Sequence, residues 1–194
     1  LKVRRFFHRM VPAGNRLLFI AGANFEKHLG GIEQYTVTLK TTGNRWPGFR
    51  GDGTSIAAAS GLPLKWSATQ NIRWRLKLPG YGQSSPVVWD GKIFTTATVG
   101  ENCEQIVVHC ASLATGKELW RIQRPKYPNY TTPVMVTAHD KLQMVFAGAE
   151  LITSLDPLTG KKHWEIKGST QECVTTTVTD GKRVFISGGW PKNH

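Results

Sequence analysis

Cysteine is the side chain in this 194-residue chain that could most readily form a cross-link or hold a metal. The three cysteines, Cys103, Cys110 and Cys173, do not have the spacing of a zinc site. Cys103 and Cys110 lie near the two ends of one predicted hairpin, so an oxidising compartment would allow a disulfide between them. The alternative is that Cys110 is a small apolar residue buried on a strand. The sequence leaves both interpretations open.

The other side chains that could take part in catalysis or bind a metal do not form a recognisable catalytic or metal-binding set. Ser84 and Ser85 precede Pro86 without the Gly-x-Ser-x-Gly context of a hydrolase nucleophile, so we interpret them as hydroxyls that begin a strand unit. The remaining candidates are the histidines 109, 139 and 163, which lack metal spacing, and the turn aspartates 52, 90, 140, 156 and 180, which form no carboxylate pair. We therefore assign no catalytic, cofactor-binding or metal-binding residue from the sequence.

Three tryptophans recur with a period near 45 residues and indicate an internal repeat. Trp74, Trp120 and Trp164 are separated by 46 and 44 positions. The last two end the strings Thr-Gly-Lys-Glu-Leu-Trp and Thr-Gly-Lys-Lys-His-Trp. Hydroxyl residues followed by a short β-prone run recur with the same period, at 84–88, 131–135 and 175–179. Four features with one period are typical of a repeat architecture.

Each repeat contains four short β-prone segments, which is the content of one propeller blade. Asp90-Gly91 and Asp180-Gly181 separate β-prone runs and are the two-residue turns that require positive φ. We predict an all-β fold of β-propeller blades with four antiparallel strands each, in an incomplete propeller with two whole blades plus part of a third. The repeat region spans 46–194, with blades at about 84–123, 131–167 and, in part, 175–194.

The Thr-Gly turn and the tryptophan after it are expected to join one blade to the next. Asp156 can accept backbone N–H bonds within its turn, and Gly160 supplies the left-handed conformation of a bulged hairpin. The tryptophan then packs a large flat surface on the neighbouring blade. In the preceding unit Ser112 replaces the aspartate, which predicts a weaker turn. The predicted structural tryptophan-docking motif consists of Asp156, Thr115, Gly116, Trp120, Thr159, Gly160 and Trp164.

The net charge of +12 lies mainly ahead of the repeats. Residues 1–50 hold nine Lys and Arg against two Asp and Glu, whereas residues 101–194 hold eleven against nine. We therefore expect no nucleic-acid surface on the blades and interpret residues 1–45 as a basic leader, either signal-like or disordered.

A basic stretch before the apolar residues 17–23 has the order of a secretory signal, which favours a periplasmic or secreted protein, although a mis-set start site would give the same pattern. No run of 18 apolar residues exists, so no integral membrane segment is expected.

The repeats resemble those of pyrroloquinoline quinone (PQQ)-type propellers. Ser-Leu-Asp-Pro-Leu-Thr-Gly-Lys-Lys-His-Trp, residues 154–164, is similar to the tryptophan-docking motif of that family, and residues 110–120 match it more loosely. Residues 46–53 and 61–67 are similar to segments at the start of bacterial PQQ-like repeat proteins, including the outer-membrane assembly lipoprotein propeller. The family has seven or eight blades, which implies that the chain is the N-terminal portion of a longer protein whose remaining blades close the ring.

The resemblance implies two classes of function. We predict a non-catalytic scaffold that mediates protein–protein or envelope interactions in a bacterial cell, with protein partners in the cell envelope and no cofactor. The alternative is a fragment of a PQQ- and calcium-dependent alcohol or sugar dehydrogenase. Such enzymes use a catalytic aspartate, calcium ligands and often a vicinal cysteine pair. No two cysteines are adjacent here, and no Glu, Asn or Asp matches those positions.

Overall fold

The described part of the chain is built from β-strands and the turns between them. The computed structural model describes residues 9–12, 16–20, 32–36, 45–57, 63–82, 84–102, 104–126, 131–171, 173–180 and 182–187. These ranges contain no helix. Accordingly, none of the described residues belongs to a helix long and apolar enough to cross a membrane. The predicted all-β fold is confirmed.

Twelve of the described strands form three four-stranded antiparallel sheets, in which neighbours in sequence are neighbours in space. The first sheet contains β1 (Arg9–Pro12), β2 (Arg16–Ile20), β3 (Ile32–Thr36) and β4 (Ile72–Leu76). The second contains β5 (Val87–Trp89), β6 (Lys92–Val99), β7 (Gln105–Ser112) and β8 (Glu118–Arg124). The third contains β9 (Val134–Ala138), β10 (Lys141–Gly148), β11 (Leu151–Leu155) and β12 (Lys162–Lys167), and the hairpin β13 (Val178–Thr179) with β14 (Val184–Phe185) follows. A four-stranded meander is the unit of a propeller, so the predicted incomplete propeller is confirmed.

The first sheet takes three strands from residues 1–45, the range that we interpreted as a basic leader. β3 pairs with β4 antiparallel, with Glu33 opposite Arg75 and Gln34 opposite Trp74. The connection between these strands runs from residue 37 to residue 71. Because this long connection separates Trp74 in sequence from the strands that lie beside it in space, a 45-residue period does not reveal this unit. The remaining residues of 1–44 lie outside the described residues.

Two tight turns hold the hairpins that begin the second and third sheets. Asp90 and Gly91 have φ of 43° and 76°, and His139 and Asp140 have φ of 51° and 57°. Positive φ at both central residues matches the right-handed twist of the flanking strands. Of these two turns, the first contains a glycine and the second contains His139 and Asp140 instead. Aspartate and histidine are among the residues other than glycine that tolerate positive φ.

Apolar side chains fill the spaces between successive sheets. Between the first and second sheets the buried residues are Leu78, Val88, Ile93 and Leu113, with Trp46, Trp74 and Leu76 packed against them. Between the second and third sheets they are Val87, Phe94, Val108, Cys110, Met135, Met144, Phe146 and Leu155. The core of this protein is therefore a series of layers between blades, and each layer depends on two neighbouring sheets.

Candidate functional site

The turn at 156–161 is closed by the side chains that the sequence singled out. Oδ1 of Asp156 accepts the backbone N–H of Leu158 at 2.7 Å, and Oδ2 accepts the hydroxyl of Thr159 at 2.9 Å. The N–H of Gly160, whose φ is 74°, donates to the carbonyl of Asp156 at 2.8 Å. Burial opposes ionisation of Asp156, but the bonds from Leu158 and Thr159 outweigh it and lower its pKa. The aspartate therefore fixes the turn as an anion.

The turn at 112–117 repeats this geometry with a serine in place of the aspartate. Oγ of Ser112 accepts the N–H of Thr115 at 3.3 Å, and the N–H of Gly116 donates to the carbonyl of Ser112 at 2.8 Å. The hydroxyl of Thr115 accepts the N–H of Lys117 at 3.2 Å. A neutral serine accepts a longer hydrogen bond here than the carboxylate of Asp156 does in the other turn. This difference is consistent with the expected weaker turn, because charge-assisted bonds are shorter and stronger.

Each turn receives the tryptophan of the sheet before it. Nε1 of Trp74 donates to the carbonyl of Leu113 at 3.1 Å, and Nε1 of Trp120 donates to the carbonyl of Pro157 at 3.1 Å. The indole rings lie on the turn glycines so closely that a Cβ on Gly116 would be 2.4 Å from Trp74, and one on Gly160 would be 3.0 Å from Trp120. Glycine is thus required twice, for its positive φ and for the contact. The structure brings together Trp120, Asp156, Thr159 and Gly160 at one interface and places Thr115 and Gly116 at the preceding one.

Trp164 is the tryptophan of the motif that has a different environment. This residue is 38% exposed, and its Nε1 donates to Oε1 of Gln143 in its own sheet at 2.8 Å. Ile166, two positions along the same strand, is also exposed. Within the ranges that the structure describes, the fourth sheet consists of β13 and β14, without a Thr-Gly turn for this tryptophan. The face that carries Trp164 has the side chains of a docking interface, and no described residue forms over it the turn that covers Trp74 and Trp120.

A buried histidine, His109, lies on β7 and is one of the three histidines whose spacing does not indicate a metal site. Nδ1 of His109 is 2.9 Å from Oε2 of Glu118, which also accepts Nη2 of Arg121 at 2.8 Å. Burial is the largest influence on His109 and lowers its pKa, and the bond with Glu118 acts in the opposite direction. Glu118 has a lowered pKa because the bonds from Arg121 and His109 outweigh its own burial. This group is a neutral histidine beside an ion pair, with a packing role.

Arg124 connects the second sheet to the third and was not singled out from the sequence. Its Nη2 donates to the carbonyl of Gly148 at 2.6 Å, and its Cζ lies 4.5 Å from the ring centre of Phe146. Burial lowers the pKa of this arginine to about 10. A buried cation that stacks on an aromatic ring of the next sheet stabilises the same interface as Trp120. No local pattern identifies it, because its partners come from another blade.

The described cysteines are buried and free. Cys110 and Cys173 form no disulfide, and burial raises the pKa of the Cys110 thiol to about 12. A thiol with so high a pKa is not a nucleophile at neutral pH. Cys103 lies outside the described residues. Cys110 packs as a small apolar residue between the second and third sheets, as the second of our two interpretations proposed.

The hydroxyl pairs that begin the second and third sheets are buried and form hydrogen bonds with the backbone. Oγ of Ser84 accepts the N–H of Thr96 at 3.1 Å within the second sheet. Oγ1 of Thr132 accepts the N–H of Ser85 at 3.1 Å, which links the second and third sheets. Thr131 donates to the carbonyl of Cys173 at 3.2 Å. These contacts satisfy backbone groups at the points where the chain passes between blades.

A cavity of about 420 Å³ lies where the first strands of the second, third and fourth sheets meet the segment 47–53. The chain reaches these strands because Trp46 and Val88 exchange two backbone bonds of 2.7 and 2.9 Å, and the carbonyl of Pro47 accepts the N–H of Met135 at 3.1 Å. No sequence pattern indicates such pairing with strands so far along the chain. The cavity is lined by Pro47, Gly48, Phe49, Gly51, Asp52, Gly53, Trp89, Val134, Met135, Thr176, Thr177, Val178 and Thr179.

The donor groups of this cavity do not fit PQQ with calcium. Calcium takes six to eight oxygen ligands, usually several carboxylates, and PQQ itself carries three carboxyl groups. The described residues of the lining include one carboxylate, that of Asp52, and no lysine or arginine that would neutralise the quinone. Across the described residues, no group of three or more His, Cys, Asp or Glu side chains is placed to hold a metal. That the whole protein acts without a cofactor stays a prediction.

The repeated docking of a tryptophan on the Thr-Gly turn of the next sheet agrees with a family match. The family model PQQ_2, described as "Outer membrane protein assembly factor BamB", matches residues 27–190. The chain belongs to this family. The PQQ-like propeller that residues 154–164 indicated is thereby confirmed, and the match extends into the first sheet. No curated protein sequence matches the chain.

The solved structures that are similar to the chain include the following two. One is a europium-containing methanol dehydrogenase, with 13% sequence identity and a TM-score of 0.45 over 83% of this chain and 24% of the dehydrogenase. The other is BamB from Moraxella catarrhalis, with 16% identity and a TM-score of 0.40 over 86% of this chain and 51% of that protein. The chain spans about a quarter of the length of the first protein and about half that of the second.

Proposed function

We propose that the chain is part of a non-catalytic propeller scaffold that binds other proteins in the envelope of a bacterial cell, in the periplasm or after secretion. The observation that carries the proposal is the use of the repeat motif. Trp74 and Trp120 are each bonded to a carbonyl of the next sheet and packed on its turn glycine. Because Trp74 and Trp120 join neighbouring sheets, their recurrence is explained by folding and needs no reaction.

The acid–base groups at the blade interfaces support the same proposal. His109 is buried and its pKa is lowered, so it is neutral at pH 7 and bonded to Glu118. The thiol of Cys110 has a pKa of about 12 and is protonated. An activated nucleophile or general base would instead have a pKa near the working pH and face a cavity. Neither side chain lines the 420 Å³ cavity.

The envelope location rests on the family. Its description names an outer membrane protein assembly factor. A scaffold of that kind presents rims and faces of a rigid propeller to protein partners, and the blades provide that rigidity through the apolar layers between sheets.

A titration with cofactor tests the non-catalytic role. The full gene product is titrated with PQQ in the presence of calcium by calorimetry, and alcohol oxidation is followed with an artificial electron acceptor. We expect no heat of binding and no turnover. Stoichiometric tight binding together with alcohol oxidation would establish the dehydrogenase alternative and refute the scaffold.

Deletion of the gene in its bacterial host tests the envelope role. We expect lower amounts of β-barrel proteins in the outer-membrane fraction, measured by quantitative mass spectrometry. Plasmid-borne wild type should restore these amounts, whereas Trp120→Ala, which removes a blade-docking contact, should not. The exposed substitution His139→Asn is the matched control and should restore them fully. Unchanged outer-membrane composition after deletion would contradict an assembly role.

A further inference from the structure

We propose that the 420 Å³ cavity binds an organic cation with an apolar body, in which the cationic group contacts Asp52 and Thr177 and the body packs on Phe49, Trp89 and Met135. This site goes beyond the scaffold role and holds whether or not that role is correct.

Among the described residues that line the cavity, Asp52 is the single charged side chain, so charge favours a cation. Its Oδ1 accepts both the hydroxyl and the N–H of Thr54, at 2.5 and 2.9 Å. The hydroxyl bond, and then the backbone bond, lower the pKa of Asp52, so it is ionised at neutral pH. Both bonds go to the same oxygen, which leaves Oδ2 to accept a hydrogen bond from a ligand. An anionic ligand would be repelled by this fixed carboxylate.

A buried hydroxyl provides a second polar contact. Thr177 is 2% exposed and lines the cavity, and its Oγ1 has no hydrogen-bond partner among the described residues. A buried polar atom without a partner destabilises the folded chain, and a ligand N–H that reaches it would remove that cost. A hydroxyl and a carboxylate can both accept from one ammonium group, which has three donors.

The rest of the described wall is mainly apolar and aromatic, and Thr176 and Thr179 are its further polar residues. Val134 and Met135 are buried, and Phe49 is 41% exposed at the edge. One face of Trp89 is covered by the guanidinium of Arg45, whose Cζ lies 4.2 Å from the ring centre, and Trp89 offers the body of the ligand apolar surface. Apolar walls with a few placed polar groups and a volume in this range are typical of small-molecule sites.

Three isosteric probes test the charge preference. The whole chain is titrated by calorimetry with 2-phenylethylammonium, with neutral 2-phenylethanol and with anionic phenylacetate. We expect the ammonium compound to bind at least tenfold more tightly than the alcohol, and phenylacetate to bind least. Equal affinity for the three probes, or tighter binding of phenylacetate, would overturn the proposal.

Two substitutions test the named contacts. Asp52→Asn should weaken binding of 2-phenylethylammonium at least tenfold and leave that of 2-phenylethanol unchanged. Thr177→Val should weaken ammonium binding severalfold without lowering the melting temperature, because the hydroxyl it removes has no partner in the protein. Asp140→Asn, in an exposed turn away from the cavity, is the matched control and should bind like wild type. Wild-type affinity in Asp52→Asn would show that the carboxylate does not hold the ligand.

The same chemistry is presented by a free amine and by a lysine side chain of a peptide. A second titration therefore uses N-acetyl-phenylalanyl-lysine amide and its Nε-acetylated form. Displacement of 2-phenylethylammonium by the lysine peptide alone supports a protein source of the cation. Binding of the free amine without either peptide supports a small molecule. Failure of both the free amine and the lysine peptide to bind would overturn the site.

Discussion

Replacing one glycine at a time by alanine separates the two reasons why the Thr-Gly turns need glycine. Gly91, Gly116 and Gly160 have nearly the same φ, at 76°, 73° and 74°. An added Cβ would meet nothing within 4 Å at Gly91, whereas it would lie 3.0 Å from Trp120 at Gly160 and 2.4 Å from Trp74 at Gly116. The backbone cost is therefore common to all three variants, and the contact with tryptophan is the part that differs.

The expected costs follow from these distances. Alanine in the left-handed region costs about 1–2 kcal/mol, which is the full effect expected for Gly91→Ala. Gly160→Ala adds about 1 kcal/mol, at the low end of overpacking, because the ring of Trp120 can shift by a few tenths of an ångström. Gly116→Ala adds about 2–3 kcal/mol of overpacking, because at 2.4 Å the indole of Trp74 must move off the turn. That movement also breaks its bond to the carbonyl of Leu113, at a further cost of about 1 kcal/mol.

Urea unfolding monitored by tryptophan fluorescence measures these costs. The midpoint should fall in the order wild type, Gly91→Ala, Gly160→Ala, Gly116→Ala, with an unchanged denaturant slope. Gly91→Ala serves as the control for backbone strain. If Gly116→Ala were no less stable than Gly91→Ala, the tryptophan would not be docked on the turn and the interface described above would be wrong.

Two further predictions concern the tryptophans and the buried histidine. Trp120→Ala should cost about 3–5 kcal/mol, whereas Trp164→Ala should cost about 1 kcal/mol, because Trp164 is 38% exposed and packs on no following turn in the described residues; equal midpoints in urea would contradict this difference. Burial lowers the pKa of His109 below its unfolded value of about 6.5, so the unfolded chain binds the extra proton more readily and stability is full above pH 6.5 and declines as the pH falls below it. His109→Gln should flatten the stability profile between pH 7 and 5, with His139→Asn as the exposed control; an unchanged slope would show that another group titrates.

The sequence predicted the blades well because their strongest signals are local. The bonds from Leu158 and Thr159 to Asp156 span two and three residues, so the residue types of one short segment contain the whole turn. The tight turn at Asp90-Gly91 is local in the same sense. Strand alternation and the 45-residue period then order these pieces into blades, and the family match over 27–190 agrees with that order.

Features that depend on distant residues were not visible in the sequence. The first sheet joins β4 to strands that end at Thr36, because β3 and β4 pair across a long connection. We interpreted residues 1–45 as a leader because of their basic composition. No local sequence pattern indicates the strands with which they pair. The cavity was missed for a similar reason, since the segment 47–53 reaches it by pairing beside Val88 and Met135. The interpretation of these residues as a family-like segment gave no indication of their contacts.

By itself, the sequence determined the period, the turn chemistry and the identity of the docking residues, because these properties need contacts only a few residues apart. The tertiary structure decided which surface each tryptophan meets: Trp74 and Trp120 bond to carbonyls 39 and 37 positions later in the chain. It also decided that Trp164, with the same motif, bonds to Gln143 of its own sheet and remains partly exposed. Trp120 and Trp164 follow the same Thr-Gly-Lys string but have different environments, because burial at this interface is supplied by the neighbouring blade.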